Sequence, residues 1–391
     1  MNKTVDLIYF NAGGGHRASA IALRDSILQQ QRPWKVRLVN LTEVLDRDGS
    51  FRRRLGFDPE DFYNTRLAHG WTLGLGQELK LLQGLIRFFH NTLLRFLQQH
   101  WLHSEPDLVV SLVPNFNRVL YESVTSTLPG VPYVTVLTDM ADHPPHFWIE
   151  PGQDQHIVCG TPRAAEQARA AGYSAQHISL TSGMLLRPSF YRAMTIDRAG
   201  LRRELGLDPD RPTGLVMFGG QGSMQMLALS RALRDVQLIL LCGHNTALAR
   251  RLRAQRASAP RAVLGFSSEV EKHMRTADFF VGKPGPGCLS EAVHCGLPVI
   301  TVENAWTMPQ ERFNTQWVRD TGTGLVLRSW RSIAPAVAEL LQRLPEFQAR
   351  VASIDNRAAF ELPEILAGLL EAAATPSALS LTGVLADRAA A

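Results

Sequence analysis

Cysteine is scarce in this chain. Four stand in 391 residues, at Cys159, Cys242, Cys288 and Cys295, and no Cys-x-x-Cys pair occurs. That excludes a disulfide framework, argues against a zinc site and suits a reduced, cytoplasmic compartment. No apolar run is long enough to span a bilayer, so any membrane contact is expected to be peripheral. Residues 1–10 run straight into a strand pattern, with no leader peptide in view. A large positive excess is also missing, since 41 Lys+Arg against 36 Asp+Glu leaves +5. That balance suits an anionic ligand or an anionic membrane surface and is too small to argue for nucleic acid. There is no Gly-x-Ser-x-Gly elbow, no Walker lysine before a serine or threonine, and no i, i+4 histidine pair with a glutamate. Serine hydrolase, P-loop kinase and zinc protease chemistry therefore lack their motifs.

What is present is a soluble globular balance, 45% hydrophobic and 20% charged, with enough length for two cored domains. Strand and helix patterns alternate in two rounds. The first opens with an apolar run at 5–10, a glycine loop and a helix over 17–30, then a strand at 35–40. The second opens with a strand at 214–218, the loop Gly219-Gly220-Gln221-Gly222-Ser223 and a helix over 224–233. Such βα repeats predict parallel sheets with ligands at the carboxyl ends of the strands. Charged, proline-bearing residues 198–212 read as a boundary, and two helices over 333–344 and 360–374 close the fold.

The most informative stretch lies in the second round. A short buried strand at 277–281 runs into Lys283-Pro284-Gly285-Pro286-Gly287-Cys288, and a helix over 289–295 follows. A strand, a glycine loop and a helix N-terminus make an anion site, because free N–H groups and the helix dipole favour phosphate. Glu291 in the first turn can accept hydrogen bonds from vicinal hydroxyls such as those of a ribose. A plain strand-to-helix turn fits the same residues about equally well.

Gly13-Gly14-Gly15-His16-Arg17-Ala18 fits the dinucleotide pattern G-x-G-x-x-A after a strand. Its usual acidic partner at the end of the next strand is replaced by Asn40, which weakens an oxidoreductase reading. His16 at the helix mouth can serve as a neutral general base, or simply face a phosphate. Asp139, at a strand end with His143 four residues on, is a second candidate acid/base pair or a turn aspartate. The segment between Leu79 and Leu102 carries apolar residues at helical spacing with Lys80, Arg87 and Arg95 and no acid. It can cover a sheet or lie on an anionic membrane. Arg52, Arg53 and Arg54, flanked by aromatics, add to the second option.

Six stretches in the same order resemble glycosyltransferase family 28, and in particular the monogalactosyldiacylglycerol synthases, relatives of the peptidoglycan N-acetylglucosaminyl transferase. They are residues 9–20 with the Gly13 loop, Thr138-Asp139 with His143-Pro144, and Arg187-Pro188-Ser189-Phe190. Then come Gly219 to Gly222, Cys242-Gly243-His244-Asn245, and Gly265-Phe266 leading to the Lys283 loop with Glu291-Ala292. After these six, the shorter match Gln310-Glu311 with Asn314 closes the set. Asn11 and Cys288 stand where the synthases carry aspartate and threonine.

The resemblance implies an α/β fold of GT-B architecture, two Rossmann-like domains facing a central cleft. Residues 1–190 would bind the acceptor and 191–345 a nucleotide-sugar. Helices in 346–375 would pack back across the cleft, and 376–391 is expected to be a disordered tail. The implied reaction is an inverting hexosyl transfer from a UDP-sugar to a lipid or lipid-linked acceptor, with no cofactor and no metal. Donor contacts would come from Gly219, Gly220, Gln221, Gly222, Ser223, Gly243, His244, Phe266, Lys283, Pro284, Gly285, Pro286, Gly287, Cys288 and Glu291, with Gln310 and Glu311 on the sugar. Gly14, Gly15, His143 and Arg187 would lie on the acceptor side. His16 is implied as base ahead of Asp139. A cytoplasmic protein touching the inner face of the membrane follows. Residues 79–102 and 113–116 do not follow the family pattern, which leaves other acceptors open, among them a lipopolysaccharide core or a small metabolite. A UDP-sugar epimerase and a nucleotide-sugar-binding protein without turnover are the other readings.

Overall fold

The computed structural model describes residues 3–11, 15–46, 75–192 and 196–374. Gly13, Gly14, Arg52, Arg53, Arg54 and the tail lie outside the described residues. Among the described residues, twelve short strands form two six-stranded sheets. The first holds β1 (Lys3–Tyr9), β2 (Trp34–Asn40), β3 (Leu108–Ser111), β4 (Tyr133–Val136), β5 (His156–Cys159) and β6 (Ile178–Leu180) in the order β2-β1-β3-β4-β5-β6. The second holds β7 (Thr213–Met217), β8 (Gln237–Leu241), β9 (Arg261–Leu264), β10 (Phe279–Gly282), β11 (Val299–Val302) and β12 (Gly324–Leu327) in the order β12-β11-β10-β7-β8-β9. All ten pairings are parallel.

The central strands β3, β4, β7, β8, β10 and β11 are buried from end to end and read as mostly apolar runs, with helices on both faces. Each order reverses once, between β1 and β3 in the first sheet and between β7 and β10 in the second. Crevices outside the strand ends at such reversals are where open α/β sheets take ligands. Helix Gly15–Gln29, which follows β1, starts at the first reversal. The Gly219 and Lys283 loops flank the second.

Several local features differ from the sequence reading. The apolar stripe between Leu79 and Leu102 is two helices, Leu75–Phe88 and His90–Ser104, because Phe89 leaves helical geometry at φ −90°, ψ 10°. Side-chain periodicity runs on through that joint, so it leaves no mark in the pattern. Asn40 caps a short helix, Leu41–Leu45, through its side chain. The boundary segment contains a helix, Arg198–Glu204, capped by Asp197. A further helix, Leu344–Ala352, buries Phe347 and Val351 in the second half's cores. Only the last helix, Ala358–Ala374, returns to the first half, where Leu362, Leu366 and Leu370 pack with Val5, Leu7 and Leu108. Leu186 and Phe190, in turn, pack into the second half's core. The chain therefore crosses between cores near 181–186 and again near 353–357, rather than at 190 and 345.

Candidate active site

In the first half, the loop after β4 carries Thr138 and Asp139. Trp148 folds back beneath it, fully buried, and its indole Nε1 donates to Asp139 Oδ2 at 2.9 Å. Asp142 fixes that fold-back by accepting from the backbone N–H of Trp148 at 2.7 Å and of His146 at 3.1 Å. His16 enters from the start of helix Gly15–Gln29, with Nδ1 3.1 Å from Thr138 Oγ1 and its ring 5.8 Å from that of Trp148. His16, Thr138, Asp139 and Trp148 thus form one cluster.

Burial sets the protonation of both candidate bases. It lowers the His16 imidazole from 6.5 to about 4, against a hydrogen bond to the Leu112 backbone that raises it. It raises the Asp139 carboxyl from 3.8 to about 7. The Trp148 hydrogen bond pulls Asp139 back down, Glu311 raises it, and Lys283 lowers it. Glu311 and Lys283 belong to the second half. Their fields reach Asp139 because the two sheets present these loops to a common cleft.

In the second half, Lys283 Nζ donates to Glu311 Oε1 at 2.9 Å, joining the loop after β10 to the turn Pro309–Glu311. Asn314, fully buried, donates to the Pro284 carbonyl at 2.7 Å and holds that loop from behind. Gly285 caps helix Pro286–His294, with Pro286 in its first turn. The N–H groups of Gly287 and Cys288 have no intrahelical partner at that position. A side chain on Gly287 would meet nothing within 4 Å, so the space in front of it is open. Gln310 Oε1 is buried with no hydrogen-bond partner. Burial pushes the Cys288 thiol up to about 12, with Glu291 adding to the rise, so it acts here as a small neutral side chain.

The other two glycine loops interlock. His244 N donates to Gly220 O at 2.9 Å. Gly243 sits at φ +59°, where a Cβ would lie 2.1 Å from that same oxygen. Gly222 at φ +62° would place a Cβ 2.5 Å from the Cys242 carbonyl. Only glycine permits this backbone contact. Gly219, Gly220, Gln221 and Ser223 line the start of helix Gln225–Ala232. The His244 ring stacks on Phe266 at 4.2 Å and 17°, and Phe266 is 63% exposed, leaving a flat aromatic face on solvent.

Two placements differ from expectation. Arg187 lies beside Glu271 and Glu291 of the second half, because the segment carrying it already packs into the second core. Its guanidinium is 3.9 Å from Glu271 and lowers the Glu291 carboxyl, which burial pushes up to about 7 and Glu271 raises further. His143 is exposed and does not pair with Asp139, whose hydrogen-bond partner is Trp148. Burial lowers the His143 imidazole, and Arg312 and Arg163 lower it further. Trp148 is the residue the sequence reading missed. A tryptophan nine residues after a strand-end aspartate carries no recognisable spacing. Among the described residues no three His, Cys, Asp or Glu side chains gather as metal ligands.

Two facing parallel sheets, with interlocked glycine loops in one and an acid/base cluster in the other, are the layout of a GT-B glycosyltransferase. The solved structure of MurG from Acinetobacter baumannii shares the fold, with a TM-score of 0.58 at 14% identity over 93% of this chain and 98% of that one. No family model matches the chain. A probable monogalactosyldiacylglycerol synthase 2 of Oryza sativa subsp. japonica is 31% identical over 362 residues, covering 86% of this chain and 73% of the relative. Monogalactosyldiacylglycerol synthase 3 of Arabidopsis thaliana is 30% identical, covering 86% and 74%. The chain belongs to the monogalactosyldiacylglycerol synthase family and is a glycosyltransferase.

The interlocked loops give a direct stability test. Gly243→Ala must take up a left-handed backbone and displace Gly220, so it should lose at least about 1–3 kcal/mol. Urea unfolding of the two proteins measures this. An unchanged midpoint would mean that the loops do not interlock in solution.

Proposed function

We propose that this enzyme transfers a hexose from a UDP-sugar to the hydroxyl of a lipid or lipid-linked acceptor, with inversion at the anomeric carbon. The observation that carries the reading is the cleft itself. Asp139 of one half, in the cluster that holds His16, lies within the fields of the Lys283–Glu311 pair of the other. The diphosphate would lie on the open N–H groups at Gly287, Cys288 and the Gly219 loop, whose dipoles meet charge growing on the leaving group. Glu291 would hold the ribose, and Arg187 would favour the ionised form of that carboxyl against the burial that raises it. Gln310 and Glu311 would bind sugar hydroxyls, and the orphaned Gln310 Oε1 is free to accept one. No cofactor enters this scheme.

The acceptor oxygen attacks the anomeric carbon as the bond to the UDP oxygen breaks. UDP leaves with the electron pair, and the acceptor proton passes to His16. The choice of His16 follows from the donor's charge. A bound diphosphate raises both pKa values. That drives Asp139, already near 7, into its protonated form. The same charge moves His16 upward from about 4, still neutral at pH 7 but a stronger base. Asp139 then serves as a hydrogen-bonding group anchored by Trp148.

Peripheral attachment to the inner, cytoplasmic face of the membrane belongs to the same reading. Leu81, Leu85, Phe88, Phe89 and Phe96 are exposed on the helix pair Leu75–Phe88 and His90–Ser104, beside exposed Lys80, Arg87 and Arg95. No described helix is long and apolar enough to cross a membrane. An apolar face with a basic rim suits the headgroup layer of an anionic bilayer.

His16→Ala should keep UDP affinity and lower kcat by at least about a hundredfold. In the parent, kcat at saturating substrates rises with pH as the base loses its proton. With His16 as base the midpoint lies above about 4 and below 7, leaving a plateau at neutral pH. A midpoint at 7 or above that persists in His16→Ala would make Asp139 the base. Phe88→Asp should release the protein from vesicles containing anionic phospholipid in a flotation assay. Equal flotation of both proteins, or none of the parent, would refute the peripheral contact.

A further inference from the structure

The two chain crossings between the halves meet at one buried amide. Along the first crossing, side chains alternate between the cores. Met184 and Leu186 pack into the second half's core, and Leu185 between them packs against the first half's core. Along the second crossing, Ile354 packs with the second half and Leu362 with the first. Asn356 lies between, 5% exposed.

Its amide makes three hydrogen bonds. Nδ2 donates to the Met184 carbonyl at 2.9 Å. Oδ1 accepts from the Tyr191 hydroxyl at 3.2 Å and from the backbone N–H of Ala358 at 3.1 Å, where the last helix begins. Gly183 lets the two crossings approach this closely, since a Cβ there would lie 2.6 Å from Asn356 Cγ. Ser182 adds a second tie, donating its N–H and hydroxyl to Glu361 at 2.7 and 3.0 Å.

Tyr191 extends the contact toward the donor loops. Its ring packs 4.5 Å from His294, in the last turn of helix Pro286–His294, and 5.0 Å from Phe360 of the helix that returns to the first half. His294 Nε2 and Arg275 Nη2 both reach the Phe190 carbonyl, at 3.2 and 2.6 Å. The helix whose N-terminus faces the cleft thus ends against the joint between the halves.

We propose that Asn356, with Tyr191, is a positioning residue for sugar transfer: it pins the two crossings together and so sets how His16 and Asp139 are placed against Lys283 and Glu311. A buried amide held by three hydrogen bonds specifies one arrangement where apolar packing alone tolerates several. The cleft then has one width, and the acceptor and donor groups meet in register. Misplacement of about 1 Å is enough to cost a large part of a transfer rate.

The kinetic arm rests on the donor reading above, and the scattering arm does not. Asn356→Ala is compared with Tyr191→Phe, which removes one hydroxyl and keeps the ring. UDP contacts lie within the second half, so calorimetric UDP affinity should stay within about twofold while kcat falls at least about tenfold. Small-angle scattering should show a wider distribution of interdomain separations in both variants. An unchanged kcat and scattering curve in both would overturn the proposal. So would a parallel loss of UDP affinity and of thermal stability in Tyr191→Phe, since the pair would then support the second half's fold. A parent that binds no UDP would refute the donor reading, with the scattering comparison still testing the pin.

Discussion

A cleft built from two separate cores has to be held at a fixed width, and that constraint organises this molecule. Asp139 responds to the charges of Lys283 and Glu311 only because both sheets turn their strand ends toward one space. Neither half holds the whole set. The first supplies a histidine and a carboxyl whose protonation burial has shifted in opposite senses. The second supplies backbone donors on interlocked glycine loops. Under the proposed scheme, an anion arriving between them would favour the protonated form of Asp139 and make His16 more basic.

Much of this was legible in the sequence, and for physical reasons. Buried parallel strands demand apolar runs, so the runs at 214–218 and 236–242 mark β7 and β8 to within a residue or two. Backbone contact demands glycine, so Gly222 and Gly243 announce loops that pack tightly. The resemblance in six ordered stretches carried the family and the fold. What stayed hidden depends on tertiary packing. Phe89 keeps the apolar period while breaking the helix. Trp148 reaches Asp139 through a fold-back that Asp142 fixes, and no spacing rule encodes it. Arg187 changes sides because the chain crosses between cores a few residues before it. Asn356 looks like a helix cap, and only the contacts with Met184 and Tyr191 reveal its second task.

The likeness to MurG, at 14% identity, speaks to architecture alone. Family membership rests on the synthases, at about a third identical residues over most of both chains. The departures are local. Cys288 in place of threonine leaves the first-turn backbone donors of its helix untouched, and burial keeps its thiol neutral.

The second half's loops are proposed to receive a uridine nucleotide-sugar. Calorimetric titration of the purified protein with UDP, UDP-glucose, UDP-galactose, UDP-N-acetylglucosamine and NAD tests this. Binding of UDP and of one UDP-sugar is expected at about micromolar dissociation constants, near −8 kcal/mol, with no heat from NAD. Binding of NAD without UDP would contradict it, and would make the Gly13 loop a dinucleotide site.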